Sequence, residues 1–214
     1  MSKRPPTVVA VQSIDDYLTQ LASSSATPGG GSAAMFVAAS GVALLAMVAR
    51  ISAEKLRLTE ERELGEGIAR AADHLRERFL ESAAKDEAAF EAVMKAQRRP
   101  RGDTERAAAV ESALAYAADV PLQSAQRMLD ALTLVRQTVD VTGENLMSDL
   151  GSAAEFLRAA LQACAYTVRV NLRYMNDSRT IQVNRATLES IEAQSQTILK
   201  AVQVATEDAL KGTA

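Results

Sequence analysis

The chain has 214 residues, of which 48% are hydrophobic, so it is long enough to bury the core of a single domain. A net charge of -3, an aromatic content of 4% and the lack of tryptophan argue against nucleic acid as a partner. The single cysteine, Cys164, excludes an internal disulfide and disfavours a zinc site, a pattern typical of a reducing compartment. We therefore expect a cytoplasmic protein without a bound metal.

Residues 1–12 lack the apolar core and the cleavage site of a secretory signal, and we expect them to form a flexible segment before one domain at 13–214. The run 33–49 approaches the length of a membrane span. It is rich in alanine, glycine and serine, however, whose transfer into lipid is only weakly favourable. We therefore predict a buried helix in this run and no interaction with a membrane.

Apolar residues recur at helical spacing along the chain, and no stretch alternates apolar and polar residues as a half-buried strand does. Six helices are predicted, at about 13–24, 33–58, 60–97, 104–143, 148–174 and 178–210. Short connections between long helices favour an all-α bundle whose neighbouring helices are mostly antiparallel. Pro121 lies inside the fourth helix, where it removes one donor and crowds the carbonyl of Ala117, so a kink is expected there.

A glycine-rich loop, Pro28-Gly29-Gly30-Gly31-Ser32, stands at the entry to the second helix. Glycine permits positive φ angles, and Ser32 is predicted to cap the helix. The loop amides and the first N–H groups of the helix would then face an anion or a polar edge of a ligand. The alternative is a tight turn between helices, because the loop lacks the Gly-Lys-Ser/Thr sequence of a phosphate-binding P-loop.

Two acidic residues and one polar stripe are further candidates for a site. Asp86 lies inside a long helix, where aspartate needs a partner or solvent, although a solvated ion pair is the ordinary explanation. Asp149 is suited to acid–base chemistry or simply to the first turn of a helix. Thr167, Asn171 and Tyr174 fall on one face of the fifth helix, where they form either a pocket wall or a hydrogen-bonded seam.

Five short segments occur in order: TPGGGS (27–32) before an alanine-rich helix, DEAAFEAVM (86–94), ADVPL (118–122), Asn145 with SDLG (148–151), and VRVNL (168–172). Together they resemble the cyclodeaminase/cyclohydrolase family of folate enzymes. That family includes the C-terminal domain of formiminotransferase-cyclodeaminase and the stand-alone methenyltetrahydrofolate cyclohydrolases. The resemblance implies an all-helical fold that pairs as a homodimer. The chain departs from the family at Thr167, where relatives have asparagine, and at Glu144.

The family acts on a one-carbon unit that bridges N5 and N10 of tetrahydrofolate. The resemblance therefore implies hydrolysis of 5,10-methenyltetrahydrofolate to 10-formyltetrahydrofolate, with no cofactor beyond this folate substrate. Asp86 or Asp149 is the expected acid–base residue, and Asn171 is expected to position the substrate. The residues expected to bind substrate are Pro28, Gly29, Gly30, Gly31, Ser32, Asn145, Ser148, Thr167 and Arg169.

Two other functions stay open at this point. A cyclodeaminase would expel ammonia from formiminotetrahydrofolate and would need a general acid in place of an added water. We favour the hydrolase, because the 214 residues contain no formiminotransferase domain to supply the formimino substrate. The departure at Thr167 also leaves open a non-catalytic protein that binds folate or a helical partner.

Overall fold

The computed structural model describes residues 13–211, so the segment expected to be flexible, 1–12, lies outside the described residues. The helices are α1 (Ile14–Leu21), α2 (Gly30–Lys55), α3 (Thr59–Gln97), α4 (Arg106–Val139), α5 (Met147–Tyr174) and α6 (Ser178–Lys211). A short 3-10 turn, Glu144–Leu146, precedes α5. No strand occurs between residues 13 and 211, and the predicted all-α bundle is confirmed.

Four of these helices form a ring. α2 packs against α3, α3 against α4, α4 against α5, and α5 against α2, while α6 covers α4 and α5. Short connections make successive helices antiparallel, which brings the start of α2, the end of α5 and the second half of α3 to the same end of the ring. The candidate site lies at this end.

α2 is the central helix of the core. Its side chains Met35, Val42 and Leu45 have no exposed surface. By length and composition it is the one helix within residues 13–211 that could cross a membrane, but 61% of its most apolar window is buried inside the bundle. The neighbouring helices therefore supply its apolar surroundings, as expected from its alanine-rich sequence.

Small residues let the neighbouring helices approach α2 closely. A Cβ added at Gly65 of α3 would lie 3.0 Å from Cβ of Ala53, and one added at Gly41 would lie 3.2 Å from the carbonyl oxygen of Ala153 on α5. Side chains at these two glycines would push α3 and α5 away from α2.

The starts of α1 and α2 differ in how well they were predicted. Ser13 caps α1 as expected, because its Oγ accepts a hydrogen bond from the Asp16 amide at 3.1 Å. The prediction that Ser32 caps α2 is wrong: α2 begins at Gly30, Gly29 is the N-cap residue, and Ser32 lies inside the first turn. The Ser32 side chain is buried and donates to Oε1 of Glu87 at 2.8 Å, so it is not available to the helix end.

α3 and α4 differ from the sequence pattern in two respects. Helical spacing along α3 predicts Leu64 and Phe90 on its apolar, core-facing side, but they are 46% and 39% exposed. α4 begins at Arg106 rather than directly after Asp103, because the Asp103 carboxylate accepts from the Glu105 amide in the preceding turn. Pro121 lies inside α4, which continues to Val139, and the kink expected there stays a prediction.

Candidate active site

A cavity of about 360 Å³ opens at the end of the ring where α2 begins and α5 ends. α3 and α4 complete its walls. Most of its lining is apolar, and its polar side chains are concentrated on α3 and α5. The lining residues are Ala26, Thr27, Gly29, Gly31, Asp86, Glu87, Phe90, Val93, Met94, Gln97, Leu114, Ala117, Thr167, Val170, Asn171 and Tyr174.

The carboxylate of Asp86 packs directly against the first turn of α2. A Cβ added at Gly31 would lie 2.6 Å from Cγ of Asp86 and closer still to both carboxylate oxygens. The first N–H groups of a helix have no partner within the helix and favour an anion. At this helix start the anion is the protein's own Asp86, and the glycine is needed for close approach. None of Gly29, Gly30 and Gly31 uses a left-handed φ, contrary to the sequence-based expectation.

Burial raises the pKa of Asp86 to about 6. The backbone amide of Ser32 opposes this rise in the pKa, and the negative charge of Glu87 adds to it. A carboxylate with a pKa near 6 is largely ionised at neutral pH, yet it is basic enough to accept a proton during a reaction. Asp86 is therefore suited to act as a general base.

A series of hydrogen bonds next to the Asp86 carboxylate links α1, α2 and α3. Tyr17 OH lies 3.3 Å from Ser32 Oγ, and Ser32 donates its only hydroxyl proton to Glu87 Oε1, so Tyr17 is the donor to Ser32. Burial raises the pKa of Tyr17, which keeps its hydroxyl protonated. These hydrogen bonds hold the Glu87 side chain beside Asp86 in the cavity wall. Sequence reasoning did not single out Glu87 as a site residue, although it lies beside Asp86 in the segment DEAAFEAVM.

Asn171 and Thr167 both line the cavity from α5. Asn171 Nδ2 donates to the backbone carbonyl of Ala117 on α4 at 2.8 Å, which fixes the side-chain amide between the two helices. Thr167 Oγ1 donates to Ala163 in its own helix at 3.3 Å. The polar stripe predicted on α5 therefore combines an interhelical seam with a wall of the cavity.

Cys164 lies one turn before Thr167 and is completely buried. Burial raises its pKa to about 12, and the negative charge of Asp86 contributes to that rise. The thiol therefore stays protonated and neutral close to the carboxylate.

Several residues of the predicted site do not line the cavity. Asn145 stands in the 3-10 turn before α5, and Ser148 and Asp149 stand in the first turn of α5. Asp149 is about 33 Å from Asn171 at 1.5 Å per helical residue. Arg169 points away from the cavity and pairs with Glu192 of α6 at 2.6 Å.

The residues of the glycine-rich loop are divided between the cavity and its surroundings. Gly29 and Gly31 line the cavity. Pro28 and Ser32 are buried, and Gly30 is exposed. A single copy of the protein therefore brings Asp86, Asn171, Thr167 and part of the glycine-rich loop together around the cavity.

The charges of the cavity favour a cationic group. Its described lining includes two carboxylates, Asp86 and Glu87, and contains no lysine, arginine or histidine. Within residues 13–211, no group of three or more His, Cys, Asp or Glu side chains is arranged to hold a metal ion. The site is thus suited to proton transfer next to a positively charged ligand.

Comparison with known proteins agrees with this geometry. The family model described as formiminotransferase-cyclodeaminase matches residues 13–190. The chain belongs to this family. The resemblance found in the sequence motifs is confirmed, and the members compared below carry the names of folate enzymes.

Two relatives match this chain over different shares of their own length. The chain is 31% identical over 188 residues to a methenyltetrahydrofolate cyclohydrolase of Methylorubrum extorquens. The matched region covers 86% of this chain and 90% of that protein. The chain is 29% identical over 194 residues to the formimidoyltransferase-cyclodeaminase of Sus scrofa, but covers only 35% of that protein.

A solved structure has the same fold. The formiminotetrahydrofolate cyclodeaminase of Thermotoga maritima superimposes with a TM-score of 0.87 at 29% sequence identity. The match covers 93% of this chain and 98% of the other. The helical bundle is therefore that of the formiminotransferase-cyclodeaminase family.

Proposed function

We propose that this family member hydrolyses 5,10-methenyltetrahydrofolate to 10-formyltetrahydrofolate in one-carbon metabolism. The observation that carries the proposal is the Asp86 carboxylate, whose pKa is about 6, in a mostly apolar cavity without cationic side chains. The 31% identity to a methenyltetrahydrofolate cyclohydrolase, over nine-tenths of that protein, supports the same reaction.

The substrate matches the cavity in charge and in shape. The methenyl bridge between N5 and N10 is a cationic amidinium, which Asp86 and Glu87 would stabilise. The flat ring system would pack against apolar side chains such as Phe90, Met94 and Val170. The glutamate carboxylates of the folate would lie outside this negatively charged cavity.

The reaction requires one base and one water. Water adds to the carbon between N5 and N10 while Asp86 accepts one of its protons, which gives a neutral hydroxyl adduct. The C–N5 bond then breaks, the adduct hydroxyl loses its proton and N5 gains one, so that the formyl group stays on N10. The net products are 10-formyltetrahydrofolate and one proton. The Asn171 amide would position the water or the pterin, and no further cofactor is needed.

An absorbance assay tests this proposal. Purified protein is mixed with 5,10-methenyltetrahydrofolate, and the near-ultraviolet absorbance of the methenyl group is followed over time. We expect its loss to be faster than the spontaneous hydrolysis. A rate equal to the spontaneous one would rule out the hydrolase.

A cyclodeaminase is the second candidate, because the Thermotoga maritima structure with the same fold carries that name. In that reaction N10 attacks the formimino carbon, and the amino group leaves as ammonia after a general acid protonates it. A carboxyl group with a pKa near 6, such as that of Asp86, has a protonated fraction available for this role. Incubation with 5-formiminotetrahydrofolate and measurement of ammonia separates the two reactions.

The protein is further proposed to act as a homodimer. Asp149, Phe156, Ala163 and Val170 recur every seven residues and so share one face of α5. Phe156 and Val170 are exposed, and Gly41 of α2 adjoins Phe156. Two copies of this face, packed antiparallel about the middle of α5, would bring the partner subunit's Asp149 towards Asn171. Asp149 would reach the site only in this way.

The protein is also expected in the cytoplasm. Its one cysteine, Cys164, is a free and buried thiol, which agrees with a reducing compartment. Folate, the proposed substrate, is a small molecule, and the proposal includes neither nucleic acid nor membrane as a partner.

A further inference from the structure

Pro121 leaves one backbone carbonyl of α4 without its helical partner. In an α-helix the amide of each residue donates to the carbonyl four residues earlier, and proline has no amide proton. The carbonyl affected by Pro121 is that of Ala117, which lines the cavity. Pro121 itself is buried inside the bundle, so water does not replace the missing donor easily.

Asn171 of α5 supplies the missing donor. Its Nδ2 lies 2.8 Å from the carbonyl oxygen of Ala117. Because a carbonyl oxygen only accepts hydrogen bonds, the side-chain amide must turn its nitrogen to α4. Its oxygen, Oδ1, is then on the opposite branch of the amide, and no donor within residues 13–211 bonds to it.

We propose that Pro121 is a positioning residue that acts through Asn171: by freeing the Ala117 carbonyl, it holds the Asn171 amide with Oδ1 available as an acceptor in the cavity. For catalysis, this inference rests on the proposed folate hydrolysis. The attacking water has two hydrogens, of which Asp86 accepts one. Oδ1 of Asn171 accepts the other and so orients the water towards the methenyl carbon.

The inference predicts opposite effects on stability and on activity. Proline inside a helix is strongly unfavourable relative to alanine. Pro121→Ala restores an amide that competes with Asn171 for the Ala117 carbonyl, and it also removes the steric crowding at that carbonyl. We therefore expect a melting temperature that is unchanged or higher, together with slower catalysis. A residue that served only the stability of the bundle would change both quantities in the same direction.

A double-mutant cycle tests the link between the two residues. In the methenyl assay, Pro121→Ala is expected to lower kcat by about tenfold with little change in KM, because the misoriented amide affects the attack of water and not substrate binding. Adding Pro121→Ala to Asn171→Ala should cost no further activity. Gln126→Ala, on the exposed face of the same helix, is the matched control and should leave kcat unchanged. An unaltered kcat for Pro121→Ala, or additive losses in the double variant, would overturn the inference.

An NMR measurement tests the same inference without any folate. The side-chain amide signals of Asn171 are assigned in the wild-type protein by their loss in Asn171→Ala. One of the two protons is expected downfield and slow to exchange, and Pro121→Ala should abolish both properties. A wild-type Asn171 amide that exchanges freely would overturn the inference even if Pro121→Ala does not fold. If the wild-type protein fails to hydrolyse the methenyl substrate, this measurement still decides the role of Pro121 in holding Asn171.

Discussion

Gly31 lies against the carboxylate of Asp86 so closely that a Cβ at this glycine would be 2.6 Å from Cγ of the aspartate. This contact joins the first turn of α2 to the second half of α3. It places the proposed catalytic base in the wall of the cavity, and it depends on the glycine having no side chain.

The variant Gly31→Ala is expected to destabilise the fold by about 1–3 kcal/mol, because the added methyl must displace the Asp86 carboxylate or the start of α2. The neighbouring Gly30→Ala is the matched control for stability, since nothing lies within 4 Å of a Cβ there. Chemical denaturation of both variants measures the difference. Equal free energies of unfolding for the two variants would contradict the close contact.

The pH dependence of the proposed hydrolysis reports on Asp86. Because the base must be ionised, kcat/KM is expected to rise through about pH 6, the pKa of Asp86. The negative charge of Glu87 helps to raise that pKa, so Glu87→Gln should move the rise to lower pH. The other groups close to Asp86, the Tyr17 hydroxyl and the Cys164 thiol, stay protonated because burial raises the pKa of each. A pH profile that does not move in Glu87→Gln would argue against this assignment.

The Asp86 carboxylate also makes the stability of the fold depend on pH, in the direction opposite to that of a salt-bridged aspartate. The folded pKa of Asp86 is about 6, above its ordinary value of 3.8, so its ionisation opposes folding. This unfavourable contribution is absent below about pH 4 and complete above about pH 6. The melting temperature of Asp86→Asn, relative to wild type, should therefore increase as the pH is raised from 4 to 7. A constant difference over this range would mean that Asp86 titrates with its ordinary pKa.

Glu111 links α4 to the start of α6. Its carboxylate accepts hydrogen bonds from the Asn176 amide at 2.9 Å and the Asp177 amide at 2.8 Å, and these bonds lower its pKa, with the Asp177 amide as the largest cause. A lowered folded pKa stabilises the protein at neutral pH, and this stabilisation is lost as the pH falls through the folded pKa. Glu111→Gln should therefore melt below wild type at pH 7, with a gap that narrows in acid.

Glu77 provides the control for that variant, because it is exposed and makes no hydrogen bond or ion pair within residues 13–211. Glu77→Gln should melt within about one degree of wild type across the same pH range, since isolated surface charges contribute little. If both variants lose the same stability, the bonds from Glu111 to α6 do not stabilise the fold.

Subunit mixing tests the proposed dimer and the role of Asp149. In the antiparallel arrangement each site contains Asp86 of one copy and the partner subunit's Asp149. Asp86→Asn and Asp149→Asn should each be inactive alone, whereas a mixed population refolded together should regain about one quarter of wild-type turnover, because half of the dimers are hybrids with one intact site. Full activity of Asp149→Asn, or no recovery on mixing, would contradict the shared site.

The helices could be predicted from the sequence because they depend on local periodicity and on end signals such as Ser13. The start of α2 was predicted incorrectly because a tertiary contact decided it. Ser32 is a good cap residue by intrinsic preference, but its hydroxyl bonds instead to Glu87, 55 residues further along the chain. Spacing along one helix contains no information about such a partner.

The sequence predicted some residues of the candidate site, but it did not predict how their side chains are oriented. Asp86 and Asn171 were identified through motifs that resemble a family, and the cavity contains both. The contact of Asn171 with the Ala117 carbonyl was not foreseen, although the sequence did predict that Pro121 disturbs that carbonyl. The direction of an amide side chain depends on the packing of α4 against α5, which no local pattern encodes. The roles proposed for Asp149 and for Asn145 and Ser148 beside it stay predictions.

The most direct measurement of the central claim is the turnover of 5,10-methenyltetrahydrofolate by wild type and by Asp86→Asn, followed by near-ultraviolet absorbance at pH 7. Wild type should remove the methenyl absorbance well above the spontaneous rate, while Asp86→Asn should be slower by about a hundredfold or more and retain its helical circular dichroism. A wild-type rate equal to the spontaneous one, or equal rates for the two proteins, would contradict Asp86 as the base of a folate hydrolase.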